Sequence, residues 1–245
     1  RSGLEMADEK LLPLTYHLAE LRTRLIRSFI AIGIGFLVSY AYVEQIFEFL
    51  MRPMLQAMPA GSTLVFTNLT EGFFTYFKLA LTSGICLAFP VILYQLWRFI
   101  SPGLLEHERR YALPFALSVT AFFLLGAAFC YYVVFPSTFR FLMSFSSDIL
   151  RPMPSIKEYL SFSSKMLLIF GLIFEYPPIV FFLAKVGVLK GSWLEKQRRY
   201  AIILIFVISA VITPPDVVSQ ILMALPMMVL YELGIVVAKV VGKKE

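Results

Sequence analysis

The chain reads as an all-α integral membrane protein of six transmembrane helices, with both termini on the cytoplasmic side and the last two helices short. Three observations predict this. Of 245 residues, 59% are hydrophobic and only 16% charged, against about 25% charged in a soluble domain. A mean hydropathy of +0.78 is more than one buried core can hide, because a soluble chain of this size must cover its surface with polar groups. Charge-free runs recur at the length needed to cross a hydrocarbon layer of ~30 Å. Finally, Lys and Arg fall mostly on alternate connections, which sets orientation.

Residues 1–5 are expected to be a non-native extension ahead of a start at Met6, and residues 6–245 a single membrane domain. Over 11–27, Leu14, Leu18, Leu21 and Leu25 recur at helical spacing while Glu20, Arg22, Arg24 and Arg27 take the other faces. That pattern predicts an amphipathic helix lying on the inner membrane surface. Spans are expected at about 28–43, 73–98, 111–136, 159–185, 200–213 and 217–238. The last two rest on charge-free runs over 200–215 and 217–231, each only about 24 Å long at ~1.5 Å per residue. The connections 44–72 and 137–158 carry Pro53, Pro59 and Gly61, and Pro152 and Pro154, so short interfacial helices joined by turns are expected there. With the N-terminus inside, sixteen of the 22 Lys and Arg are internal; Arg52, Lys78, Arg140, Arg151, Lys157 and Lys165 are the remainder. The net charge of +6 therefore reads as a topology signal, and no nucleic-acid partner is expected.

Catalysis finds little support. His17 and His107 are the two histidines, and Cys86 and Cys130 both sit in apolar runs, so no catalytic residue, metal site or cofactor is expected. Carboxylates do gather among basic residues on the inner side, at Glu20, Glu106 and Glu108. Glu20 with Arg24 and Glu106 with Arg110 stand at i, i+4 and can simply pair within their helices. Alternatively, Glu20 and Glu108 accept guanidinium groups brought by a ligand, since a carboxylate takes arginine through two parallel hydrogen bonds. Glu175 lies well inside the fourth span, where an acid costs several kcal/mol unless protonated, paired or wetted. Pro177 and Pro178 beside it predict a kink. Asp216 is placed to cap the sixth helix, while Thr213 and Gln220 could hydrogen-bond a partner helix within the membrane.

Taken together, His17-Leu18-Ala19-Glu20-Leu21-Arg22-Thr23-Arg24, the stretch from Phe89 to Ile100, His107-Glu108-Arg109-Arg110, Phe174-Glu175 and Thr213-Pro214-Pro215-Asp216 resemble the TatC family, the receptor subunit of the twin-arginine protein translocase. The resemblance implies a concave, glove-like bundle in the bacterial cytoplasmic (inner) membrane. Its cytoplasmic face would bind the Arg-Arg motif in signal peptides of folded cargo, and transport would run on the proton gradient. It further implies the single-span partners TatB and TatA, membrane lipid, and self-association in a larger complex. Carried over, Glu20 and Glu108 would hold the two arginines, with Arg22 and Phe99 nearby. Pro53 would shape the outer cap, Glu175 would face the concave membrane side, and Thr213 and Gln220 would meet a partner helix. The alternative reading is a proton-coupled small-solute transporter that uses Glu175.

Overall fold

The computed structural model describes residues 2–59, 64–65, 68, 70–100, 112–145, 153–213 and 216–242, and the side chains of these apart from 2–17, 100 and 112–114. Among the described residues the regular secondary structure is helical, with short turns and one isolated parallel bridge between Val65 and Ser155. In chain order the helices are α1 (Ser2–Ala41), α2 (Val43–Ala57), α3 (Glu71–Ile100) and α4 (Ala112–Phe129), a π-helical turn (Cys130–Val134), then α5 (Phe135–Met143), α6 (Ile156–Phe174), α7 (Tyr176–Val186), α8 (Gly191–Lys196), α9 (Arg198–Ile212) and α10 (Val217–Val241).

Among the described residues five stretches are long and apolar enough to cross a membrane: Leu18–Ala41, Glu71–Phe99, Phe115–Met143, Ile156–Val186 and Val217–Val241. Helix α9, at 15 residues, is shorter than these. Their outward faces carry Phe29, Ile34, Leu37, Leu124, Tyr132, Val211 and Val240 in the open, the surface of a protein solvated by lipid.

Two expectations need correction, at the first and last helices. Residues 11–27 do not form a separate surface helix; α1 runs unbroken from Ser2 to Ala41, so its leucine stripe continues the first span. The fourth span carries its expected break: Pro177 and Pro178 cannot donate to the carbonyls one turn back, and the axis divides into α6 and α7 at Glu175. The last helix is not short. It holds 25 residues, since the charges that end its apolar run are compensated: Glu232 accepts from Arg198 Nη2 at 2.8 Å and Lys239 meets Glu195 at 2.7 Å. Proline also explains the π-helical turn. Pro136 has no amide to offer Tyr132, and the chain widens so that Phe135 N–H reaches Cys130 O instead.

Helix α1 packs chiefly on α3. The two backbones touch where Gly35 faces Gly84: a Cβ on Gly35 would fall on the Gly84 carbonyl oxygen, and one on Gly84 would stand 2.5 Å from the Phe36 amide nitrogen. Helices α4 and α6 approach as closely, with Gly126 against the Phe170 carbonyl and Gly171 beneath the Phe123 ring. The main core gathers Leu50, Met54, Leu79, Phe135, Phe170 and Met223 at the end of the bundle that carries α2. A smaller cluster of Val180, Ala184, Leu194, Ile235 and Ala238 ties α7, α8 and α10 together at the other end.

Candidate functional site

Away from α2, the seam between α1 and α3 brings polar groups together in an otherwise apolar bundle. Glu20 and Arg24 stand one turn apart on the same face of α1, and Arg24 Nη2 donates to Glu20 Oε1 at 3.0 Å. The same guanidinium donates through Nη1 to Gln95 Oε1 of α3 at 3.2 Å. Gln95 is 8% exposed, while Glu20 and Arg24 are half-buried, so one arginine bridges two helices in a half-dry setting where such bonds are strong. Glu20 Oε2 accepts no hydrogen bond from the described residues. Phe99 follows Gln95 by one turn of α3 and is half-buried; Arg22 is exposed on another face of α1. Glu108, with Glu106 and Arg110, lies outside the described residues.

Gln95 was not singled out by sequence reasoning. The available signal was an amide within a charge-free run of α3, and an uncharged residue leaves a charge-based reading blind. Glu71 was missed as well. It is 3% exposed at the start of α3, and it accepts from Ser155 Oγ at 2.9 Å and the Lys157 amide at 3.0 Å through Oε1, and from the Asn68 amide at 3.2 Å through Oε2. This one carboxylate joins the start of α3 to the start of α6.

Pro53 sits inside α2 and is buried. Having no N–H, it frees the carbonyl of Phe49, which accepts the Tyr131 hydroxyl at 2.7 Å. The next carbonyl, of Leu50, accepts the Tyr159 hydroxyl. The proline thus opens one carbonyl of α2 to Tyr131, and the neighbouring carbonyl takes Tyr159 of α6 as a further acceptor.

Glu175 forms the joint between α6 and α7. It is 3% exposed, so it lies under protein rather than open on a membrane-facing surface, and neither carboxylate oxygen meets a donor among the described residues. Thr213 is buried and its hydroxyl donates to the Ser209 carbonyl at 2.8 Å. Gln220 donates to the Phe206 carbonyl at 3.1 Å, joining α10 to α9. Asp216 Oδ1 accepts from the Ser219 amide at 2.6 Å and caps α10.

Apolar helices with lipid-facing surfaces, a polar seam at one end and a buried acid at a helix break define a multi-pass membrane protein of the transport kind. A profile of the family described as Sec-independent protein translocase protein (TatC) matches residues 16–226. The chain is 49% identical over 238 residues to the Sec-independent protein translocase protein TatC of Desulforapulum autotrophicum, covering 97% of this chain and 88% of that one. It is 41% identical to the TatC of Aquifex aeolicus, over 96% and 98% of the two chains. A crystal structure of a twin-arginine translocase receptor, TatC, superposes with a TM-score of 0.83 at 40% identity, covering 92% of this chain and 99% of that one. The chain belongs to the TatC family of Sec-independent protein translocases.

Proposed function

We propose that this chain recognises the Arg-Arg signal peptide of folded cargo at the cytoplasmic face of a bacterial inner membrane and nucleates a translocation complex with TatB and TatA, driven by the proton gradient. In this reading α9 supplies a sixth crossing, both termini are cytoplasmic, and copies of the complex self-associate. The observation that carries it is the guanidinium seated between Glu20 and Gln95. A half-buried patch that holds the chain's own Arg24 has the donor and acceptor geometry to hold a visiting arginine, at the open Glu20 Oε2 or in place of Arg24. Glu108 supplies the second acceptor, and Arg22 and Phe99 flank the peptide. The positive-inside distribution of Lys and Arg supports the orientation.

The test is binding of an Arg-Arg peptide to the membrane-embedded protein. Glu20→Gln and Glu108→Gln should each weaken it by about 1.5 to 3 kcal/mol, the range for hydrogen bonds to charged groups, and added salt should weaken it further. Unchanged binding in both variants would reduce these acids to helix pairing. For the partner helix, Thr213→Val with Gln220→Leu should lower crosslinking to TatB while peptide binding survives; unchanged crosslinking would leave the two residues as ties within the α9–α10 hairpin. The solute-transport reading draws on Glu175, whose carboxylate meets no donor among the described residues, and uptake of a labelled solute by vesicles holding this chain alone would favour it.

A further inference from the structure

At the end of α3 opposite Gln95, α3 and α6 leave a cleft of about 60 Å³ whose polar lining is Thr75, Lys78, Lys157, Ser161 and Ser164, with Phe74 at its edge. Lys78 Nζ donates to Ser161 Oγ at 2.7 Å, which fixes the ammonium at the seam. Thr75 is 5% exposed, and its hydroxyl meets no partner among the described residues. Neither lysine forms an ion pair with a described carboxylate. Glu71, the acid of α3, has its oxygens committed to Ser155, Asn68 and the Lys157 amide; Glu158, next along α6, does not line the cleft.

Depth argues for lipid. The apolar stretch Glu71–Phe99 has 29 residues, or ~43 Å, which exceeds a ~30 Å hydrocarbon core by about 6 Å at each end. Lys78 lies ~10 Å from Glu71, within a few ångströms of the hydrocarbon edge, where a lysine stem is buried and its head reaches the interface. On the neighbouring surface Phe73 and Phe74 are each 62% exposed, and Phe73 makes ring contacts with both Phe74 and Phe77. Phe73, Phe74 and Phe77 precede Lys78 and so stand on its interfacial side, as an aromatic belt does, while Leu81, one turn deeper, is open to the hydrocarbon. Two lysines with no carboxylate partner among the described residues, beside that surface, match the two halves of a lipid.

The geometry points to a binding site for one membrane phospholipid of net negative charge, with Lys78 and Lys157 on its phosphate, the Thr75 hydroxyl as a further donor, Phe74 beside its headgroup and its acyl chains running inward past Leu81. The site is separate from the Glu20 patch and stands without the signal-peptide reading. To test it, the full chain is reconstituted in vesicles of equal phosphatidylglycerol and phosphatidylcholine, and the lipid retained is counted by native mass spectrometry. Phosphatidylglycerol should be retained preferentially, and each lysine replaced by glutamine should cut that preference roughly fivefold. Lys78→Arg with Lys157→Arg should keep it, which separates charge from a folding defect. Equal retention of both lipids by the parent, or an undiminished preference in Lys78→Gln with Lys157→Gln, would overturn the site. So would stabilisation of the lipid-stripped protein by inorganic phosphate to the same extent as by phosphatidylglycerol, which would assign the cleft to a free anion.

Discussion

Glu71 and Glu175 are exposed to the same 3%, yet their surroundings are opposite. Glu71 gathers three donors from two segments of chain, whereas Glu175 meets none among the described residues. Burying an acid costs several kcal/mol unless hydrogen bonds offset it. At Glu71 the donors offset that cost and the residue acts as a tie between α3 and α6. At Glu175 no described donor offsets that cost, and the acid stands at a joint between two helices. Burial alone therefore does not distinguish the two acids; their partners do.

The contrast can be broken most sharply at Glu71. Glu71→Ala leaves the Ser155 hydroxyl and two backbone amides without an acceptor, and should lower stability by about 3 to 5 kcal/mol, as removal of one member of a buried charged network does. Glu71→Gln should fall between, and the midpoint of thermal unfolding in mild detergent measures both. Glu175→Leu should do the reverse, leaving the protein as stable as the parent or about 1 to 2 kcal/mol more so, because an unpartnered polar group is exchanged for an apolar one. Cargo export should nevertheless fall with Leu and survive better with Gln, while peptide binding stays near normal in both. Normal export by Glu175→Leu would make the acid a tolerated passenger, and a destabilisation like that of Glu71→Ala would erase the distinction between the two sites.

The smallest effect concerns Tyr131. Tyr131→Phe removes one hydroxyl from the Phe49 carbonyl and should cost about 1 kcal/mol. In a Pro53→Ala background the new amide at 53 competes for the same carbonyl, so the cost should shrink. A double-mutant cycle on unfolding free energy reads the coupling directly, and full additivity would show that the proline and the tyrosine act independently.

Much of this was legible in the sequence because charge is expensive in lipid. Charge-free runs located the apolar spans, Pro177 and Pro178 marked the break at Glu175, and the i, i+4 spacing of Glu20 and Arg24 gave their pairing. The same ruler failed where charges are compensated through tertiary contacts. It stopped α10 short because Arg198 and Glu195 lie far from Glu232 and Lys239 in sequence. An amphipathic pattern over 11–27 suits a helix on a membrane surface as well as one lying along α3, and only the unbroken backbone decides between them. Glu71 resembles an ordinary solvated helix start, since its donors at 155 and 157 are more than eighty residues away. The seam at Gln95 stayed hidden because its partner, Arg24, already had a local acid to pair with.

The glycine contact between α1 and α3 carries a mechanical consequence. Backbone on backbone at Gly35 and Gly84 makes a fulcrum, and α1 extends from it unequally: ~22 Å to Glu20 but only ~9 Å to Ala41. A tilt of about five degrees there sweeps Glu20 through about 2 Å and Arg24 through about 1.4 Å, enough to part the 3.2 Å bond between Arg24 and Gln95. The short arm toward α2 would swing the opposite way by less than half as much. A movement of that size at the Glu20 end would thus be geared down into a small, firm displacement at the other, with two missing methyl groups as the bearing.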